Sequence, residues 1–237
     1  MPVELEAAPN APLQVRIRRS ADHSQERFEV ERFPAMTILD VLLAIQREDD
    51  PSIGFRFSCR VAMCGTCTLR VNGRAVLACQ ALVEDHAREV EIAPLAGLPV
   101  VRDLVVDMTP FWEQWSRITP YLEPKESLSE PATVLPDSEE RDAIDPALDC
   151  IQCGACYSSC GVSGEHKSFL GPAALTRAMV LINDSRDAAG RKRLDLVSGQ
   201  DGADRCHLIY GCTGVCPKGL DPARAIRRIR TGRVEDR

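Results

Sequence analysis

Two cysteine runs in the second half of the chain share one spacing. Residues 150–160 read CIQCGACYSSC, which is C-x2-C-x2-C-x3-C, and residues 206–217 read CHLIYGCTGVCP with the same spacing. Runs of this kind supply thiolates to a pair of iron–sulfur clusters, and the fourth cysteine of each run serves the other cluster. The first run lacks the usual following proline, since residue 161 is Gly, and the second run has Ile209 at its second position. The two runs therefore predict two clusters with crossed ligation.

The substitution at Ile209 predicts that the two clusters differ in size. Crossed ligation gives one site four thiolates, which is enough for a [4Fe–4S] cluster, and these are Cys150, Cys153, Cys156 and Cys216. The other site has three thiolates, which are Cys160, Cys206 and Cys212. An apolar side chain cannot bind a fourth iron, so this site is predicted to hold a [3Fe–4S] cluster. Replacing Ile209 by Cys should then convert a three-iron signal into a four-iron one.

The first half of the chain holds cysteines with a different spacing. Cys59, Cys64 and Cys67 follow C-x4-C-x2-C, which matches three ligands of a plant-type [2Fe–2S] site. The Asn72-Gly73 pair predicts a tight hairpin turn, whose register brings Cys79 back toward the cysteine loop as the fourth ligand. A structural zinc site with four cysteine ligands is the alternative, but the x4 spacing favours the iron–sulfur site.

Composition and charge exclude several other classes of protein. The chain has 237 residues and 11 cysteines, an odd number that rules out complete pairing in disulfides, and the three predicted sites use every one. The net charge of −6 argues against a nucleic-acid binder that relies on overall charge. No apolar stretch reaches the length of about 18 residues that a membrane span needs. The N-terminal sequence MPVELEAAPN is not a secretory signal, so we expect a reducing compartment, where clustered cysteines are more often metal ligands than disulfides.

Hydrophobic patterning predicts an α+β fold with a small mixed sheet followed by a helical region. The strands are expected at 13–18, 27–33, 68–71, 74–78 and 90–92, and a short helix is expected after the capping box of Thr37 and Asp40. The later helices are expected at 139–148, 172–181 and 223–229. We predict a first domain over 1–105 and a second over 106–237, in which 106–140, with its several prolines, is a connector.

Several short segments in the same order resemble the iron–sulfur subunit of succinate dehydrogenase and of quinol:fumarate reductase. The resemblance covers about residues 13–230. The segments are SCR at 58–60, MCGTC at 63–67, VVRDLVVDM at 100–108, PYL at 120–122, CIQCGAC at 150–156, GPA at 171–173, DSRD at 184–187 and CPKGL at 216–220.

The resemblance implies an N-terminal plant-type ferredoxin-like β-grasp domain and a C-terminal all-α bacterial ferredoxin-like domain. It implies an FAD-containing flavoprotein partner, membrane anchor subunits with or without haem, and a quinone bound near the three-iron cluster. The chain would then carry electrons between flavin and quinone through three clusters, without binding nucleic acid. It would lie peripherally at the cytoplasmic face of the inner membrane. The direction, succinate oxidation or fumarate reduction, stays open.

The quinone side is where the chain departs from the family, because residues 161–166 read GVSGEH where many members carry tryptophan. Four residues are predicted to lie close to a quinone: His207, Ile209, Ser163 and Lys218. His207 could relay protons or tune the cluster, or it could be a hydrogen-bonded surface histidine. Two other functions stay open: a soluble iron–sulfur subunit of another flavoprotein reductase without a quinone site, and a zinc-stapled interaction module.

Overall fold

The computed structural model describes residues 11–19, 24–86, 88–125 and 132–232. The chain divides into two compact units. The first contains the residues up to Leu95 together with Pro99–Asp107, and the second contains Ala96–Leu98 and the residues from Met108 onward. Each unit is described by itself below.

The first unit is built on a five-stranded sheet that carries one helix. Its elements are β1 (Leu13–Arg19), β2 (Ser24–Val30), α1 (Ile38–Glu48), β3 (Thr68–Val71), β4 (Arg74–Leu77), a 3-10 turn (Val83–Asp85), β5 (Glu89–Ala93), β6 (Val100–Arg102) and β7 (Val105–Val106). The strand order is β2-β1-β5-β3-β4, and β6 and β7 form a separate two-stranded sheet. Strands β1 and β5 pair in parallel at the centre, while the flanking pairs are antiparallel. This is the predicted β-grasp arrangement.

The second strand lies earlier in the chain than the predicted range of 27–33. It pairs with β1 from Arg19↔Ser24 to Leu13↔Val30, where β1 begins. Residues 31–33 lie beyond this pairing, because β1 has no residue before Leu13 to pair with them. Strand ends here depend on the partner rather than on the local pattern.

Helix α1 begins at the predicted capping box. The Thr37 side chain accepts a hydrogen bond from the Asp40 backbone N–H at 3.2 Å, and the Asp40 carboxylate accepts one from the Thr37 backbone N–H at 2.9 Å. These bonds satisfy backbone donors that a helix start leaves open. The helix buries one apolar face, which consists of Ile38, Leu39, Val41, Leu42 and Ile45.

The hairpin of β3 and β4 has the predicted register. Asn72 and Gly73 have φ values of +49° and +82°, as the turn type favoured by Asn-Gly requires. Val71 pairs with Arg74 and, two steps along, Leu69 pairs with Val76. The hairpin therefore returns the chain to the end of the cysteine loop.

The second unit is helical in its described part. Its helices are α2 (Thr109–Arg117), α3 (Glu139–Leu148), α4 (Ala155–Ser158), α5 (Gly161–Glu165), α6 (Gly171–Asn183), α7 (Gly190–Val197), α8 (Gly211–Gly214) and α9 (Pro222–Arg230), with a 3-10 turn at Ala203–Arg205. The predicted helix at 139–148 has the observed bounds, and those at 172–181 and 223–229 are each slightly longer. The core surrounds α6 and includes Ile118, Phe169, Leu175, Met179, Val197 and Ile226.

The segment after α2 is held by one buried cation. The Arg193 guanidinium donates to the backbone carbonyls of Ile118 at 3.0 Å, Thr119 at 3.0 Å and Tyr121 at 3.2 Å, and to the Asp187 carboxylate at 2.7 Å. Arg193 and Asp187 are both buried, so each offsets the cost of burying the other. The range predicted as connector thus contains a helix, α2, and a segment fixed by hydrogen bonds; Pro131, predicted within it, lies outside the described residues.

Among the described residues, no helix is both long enough and apolar enough to cross a membrane.

Candidate iron–sulfur centres

The loop between Cys59 and Cys67 curls because several of its residues adopt left-handed backbone conformations. Arg60, Ala62 and Gly65 have φ values of +60°, +56° and +70°. Only glycine adopts this region without cost, and single non-glycine residues there are typical of functional loops. With these left-handed residues, several peptide N–H groups of the loop point toward the same sulfur atom.

The peptide N–H groups turned in this way surround one sulfur. The backbone amides of Val61, Met63 and Cys64 lie 3.5, 3.4 and 3.3 Å from Cys59 Sγ and donate to it. Hydrogen bonds, first of all from the Thr66 hydroxyl, lower the pKa of Cys64 to about 6. Donors of this kind stabilise thiolate, which is the form that binds metal.

The other two predicted ligands meet where the hairpin closes. Ala78 donates its backbone N–H to the Cys67 carbonyl at 3.2 Å, so Cys79 follows directly beside Cys67. The thiols of Cys67 and Cys79 are hydrogen-bonded, and the Cys64 thiolate interacts electrostatically with Cys67. Burial raises the pKa of Cys67 to about 12, so a metal bound there would displace a proton. The four cysteines therefore lie around one small region at the end of the sheet.

The two long-spaced runs fold in the same way. Two residues after the first cysteine, Gln152 and Leu208 have φ values of +49° and +53°. Two residues further on, Gly154 and Tyr210 have φ values of +79° and +64°, and each caps a four-residue helix, α4 or α8. In the second run, the Leu208 amide lies 3.4 Å from Cys206 Sγ, and the Gln152 amide bonds the Cys150 sulfur in the same manner.

One cavity in this unit, called the first cavity, brings together the four cysteines predicted for the four-iron site. Its hollow of about 420 Å³, which includes open solvent, is lined by Cys150, Cys153 and Cys156 from the first run and by Cys216 from the second. Apolar groups such as Ala173 and Pro217 complete its wall. Burial of the Cys156 sulfur raises the pKa of its thiol well above the usual value.

The second cavity brings together the three cysteines predicted for the three-iron site. Cys160, Cys206 and Cys212 line a larger hollow of about 830 Å³, which includes open solvent. Ile209 also lines it and is 80% exposed. Burial raises the pKa of Cys212 to about 11. The runs are therefore interleaved, because the last cysteine of each lies with the first cysteines of the other.

The four residues predicted to lie near a quinone are divided between different places. His207 and Ile209 line the second cavity. Lys218 lines the first cavity instead. Ser163 is buried on α5, and in the described structure its hydroxyl has no hydrogen-bond partner. Residues of the second cavity that the sequence did not single out include Glu165, His166 and Tyr210. His166 directly follows α5, and this helix begins immediately after Cys160, the fourth cysteine of the first run. Its closeness to Cys160 in sequence is the signal that could have indicated that His166 lies near the second cavity.

Within the described residues, no three His, Cys, Asp or Glu side chains are close enough to hold a single metal ion. A tetrahedral zinc site needs four ligand atoms, each about 2.0–2.3 Å from one ion. A polynuclear cluster instead places several irons and sulfides between its cysteines, and hollows ringed by thiols suit that group. The donor set of thiols and peptide N–H groups also matches the ligation of iron–sulfur clusters.

Comparison with known proteins agrees with this description. Residues 14–113 match a family model described as a 2Fe-2S iron-sulfur cluster binding domain, and residues 146–220 match a 4Fe-4S dicluster domain. The fold and sites therefore define an electron-transfer protein with one plant-type centre and a pair of crossed centres.

The relatives narrow this class to one family. The chain is 40% identical to the mitochondrial succinate dehydrogenase [ubiquinone] iron-sulfur subunit 1 of Oryza sativa subsp. japonica, over 84% of this chain and 71% of that protein. It is 39% identical to the fumarate reductase iron-sulfur subunit of Haemophilus influenzae, over 84% of this chain and 81% of that protein. A solved structure, the Mycobacterium smegmatis Sdh1 complex in the apo form, matches with a TM-score of 0.84 and 26% identity, covering 96% of this chain and 97% of that one.

The chain belongs to the family of succinate dehydrogenase and fumarate reductase iron–sulfur subunits. It is the electron-transfer subunit of a succinate dehydrogenase or fumarate reductase complex and carries [2Fe–2S], [4Fe–4S] and [3Fe–4S] clusters. Its partners are a flavoprotein and a membrane anchor, and subunits of this family associate peripherally with the membrane.

Proposed function

We propose that this chain conducts electrons between a flavin and a membrane quinone through three centres whose ligands are the eleven cysteines. The observation that carries the proposal is the division of the two runs between two cavities, four thiols in one and three in the other. When bound, the clusters accept and release single electrons. The protein's own part is to hold the thiols, to donate hydrogen bonds to sulfur and to limit access of water.

For the [2Fe–2S] centre we propose Cys59, Cys64, Cys67 and Cys79 as ligands. The curled loop supplies the first three, and the hairpin supplies the fourth. The amides that point at Cys59 Sγ stabilise negative charge on that sulfur, which stabilises the reduced state and is one of the factors that set cluster potentials.

For the second unit we propose a [4Fe–4S] centre in the first cavity, ligated by Cys150, Cys153, Cys156 and Cys216. We propose a [3Fe–4S] centre in the second, ligated by Cys160, Cys206 and Cys212. Support comes from the equivalence of Cys153 and Ile209 in two runs of the same backbone shape. One position offers a thiol to a cavity and the other offers a hydrocarbon side chain.

We further propose that the quinone approaches the second cavity, with His207 and Ile209 at its edge. This cavity is the larger of the two, and Ile209 presents its side chain to solvent. Reduction of a quinone to a quinol requires protons, and imidazole side chains serve as proton shuttles in proteins, so His207 is our candidate for proton transfer. Ser163 and Lys218, which lie elsewhere, would affect the quinone only indirectly. We assign the chain to the cytoplasmic face of the inner membrane, where an anchor with or without haem would hold it.

The test is an EPR-monitored redox titration of the complex purified in detergent, together with iron analysis. We expect three cluster signals, one of them from an oxidised three-iron cluster, and succinate-dependent reduction of a ubiquinone or menaquinone analogue. The absence of a three-iron signal would contradict the ligand assignment. A complex that is fully soluble without detergent and does not reduce quinones would contradict the quinone assignment while leaving the clusters in place.

A further inference from the structure

The two cysteine runs differ in the side chain that binds the carbonyl of their first cysteine. In the first run, the neutral Gln152 amide donates its Nε2–H to the Cys150 carbonyl at 3.1 Å. In the second run, the Arg230 guanidinium donates its Nη1–H to the Cys206 carbonyl at 2.9 Å. The two carbonyls occupy equivalent positions, so one centre has a dipole where the other has a full positive charge.

Arg230 reaches this position from a helix that is itself part of the second cavity. It is the last residue of α9, and Ala223 and Ile226 of the same helix line the cavity. The start of the helix is fixed to α8, because the Thr213 hydroxyl donates to the Asp221 carboxylate at 2.7 Å. The neighbouring Ile229 is 2% exposed. The guanidinium is therefore supported by a packed element rather than by a loop.

We propose that Arg230 is a positioning residue that raises the reduction potential of the cluster held by Cys160, Cys206 and Cys212. This inference rests on the proposed function. When that cluster gains one electron, its net charge becomes one unit more negative, and a fixed cation nearby stabilises the reduced form. Charge and hydrogen bonding around the sulfur ligands are among the factors that set cluster potentials. The four-iron site has other cations nearby, since Lys218 lines its cavity and the charge of Arg177 acts on Cys150. The neutral Gln152 adds no positive charge at the carbonyl itself, so the difference between the two donors favours reduction of the three-iron centre.

The experiment measures the midpoint potentials of all three clusters by EPR in the purified complex. Arg230→Gln keeps a hydrogen-bond donor but removes the charge, and Arg230→Lys keeps the charge. Arg227→Gln is the matched control, since Arg227, like Arg230, is an exposed cation of the same helix. We expect Arg230→Gln to reduce the equilibrium constant for reduction of the three-iron cluster about threefold to tenfold, or about 28–59 mV at 59 mV per tenfold. Arg230→Lys and Arg227→Gln should produce at most a minor part of this shift.

A reciprocal variant tests the same idea by gain of charge. Gln152→Arg introduces a cation beside the Cys150 carbonyl and should raise the potential of the four-iron cluster by a similar factor. The Gln152→Arg measurement tests the inference even if the Arg230→Gln variant loses its three-iron cluster.

Two results would overturn the inference: equal potentials in Arg230→Gln, Arg227→Gln and the unaltered protein, or no response of the four-iron cluster to Gln152→Arg. Failure of the proposed function would look different, because the unaltered complex would then lack the three-iron signal altogether.

Discussion

The two cysteine runs of the second unit share a backbone shape but differ in their side chains, and three of these differences affect the sites. The second position is Cys153 in one and Ile209 in the other, and the helix cap is Gly154 in one and Tyr210 in the other. The donor to the first carbonyl is a neutral amide in the first run and a guanidinium in the second. Spacing and left-handed turns fix the shape of each run, whereas single side chains set the number of thiols and the local charge.

The second run also carries more backbone strain. A glycine cap at φ +79° costs little, but Tyr210 at φ +64° places a Cβ in a region that costs about 1–2 kcal/mol. Tyr210 lines the second cavity and is 44% exposed. Strain of this kind is typical of functional sites, where the surrounding structure holds the residue in place. The run that lacks a thiol thus has two non-glycine residues with positive φ, Leu208 and Tyr210, where the first run has one, Gln152.

The largest expected effect comes from making the first run resemble the second. Cys153→Ile removes one of the four thiols of the first cavity. Because loss of an outer-sphere partner alone typically costs about 10–100-fold in metal affinity or activity, we expect loss of a direct ligand to cost at least as much in succinate-dependent electron transfer. Iron analysis and EPR should show that the four-iron cluster is lost or converted. A variant with a normal four-iron signal would contradict the assignment of Cys153.

The opposite exchange should add iron to the second cavity. Ile209→Cys supplies the missing thiol at the equivalent position, so we expect the three-iron EPR signal to disappear and one more iron per chain to be bound. Ile209→Val is the control, because it changes the side-chain volume without adding a ligand. An unchanged spectrum with iron retained would contradict crossed ligation.

A smaller effect is expected at the two helix caps. Gly154→Ala introduces a Cβ at φ +79° and should lower the free energy of unfolding by about 1 kcal/mol or more. Tyr210→Gly relieves the strain of the equivalent position, and the greater freedom of glycine in the unfolded chain offsets part of that gain. We therefore expect it to be neutral or stabilising by up to about 1 kcal/mol. Thermal unfolding of the purified complex measures both, and equal losses in the two variants would contradict the comparison.

The smallest difference between the two runs is expected seven residues after the first cysteine of each. Tyr157 donates its hydroxyl to the Ser163 carbonyl at 3.3 Å, while the Thr213 hydroxyl bonds Asp221 at 2.7 Å and accepts from the Ala223 N–H. Since a hydrogen bond contributes about 0.5–1.5 kcal/mol, Tyr157→Phe should cost less than Thr213→Val, which removes two. Chemical denaturation measures the loss in free energy of unfolding for each variant. A larger loss for Tyr157→Phe than for Thr213→Val would contradict this prediction.

Much of this structure could be predicted because the signals were local. The capping box of Thr37 and Asp40 and the Asn72-Gly73 turn each specify a conformation within a few residues, and both are present. The thiols of the two runs divide between the cavities as the spacing predicts. The ends of β2 could not be read in this way, because they depend on pairing with β1.

Other features depend on contacts between distant parts of the chain. The buried Arg193 holds the carbonyls of a segment more than seventy residues away in sequence, and nothing in the local pattern indicates it. Ser163 and Lys218 follow a cysteine closely in sequence, yet neither lines the second cavity. The left-handed conformation of Tyr210 contradicts ordinary residue preference, so only the equivalence with Gly154 could have suggested it.

The position of Cys79 has a consequence for the order in which the protein matures. A hairpin forms within microseconds because its strands are neighbours in sequence, so Cys67 and Cys79 can meet before the rest of the chain has folded. The crossed sites require two runs that are distant in sequence, 150–160 and 206–216, to meet, and such distant contacts form slowly. We therefore expect the first unit to be able to receive its iron while the second is still open. When iron or sulfide is scarce, we expect cluster insertion into the second unit to be the step that fails.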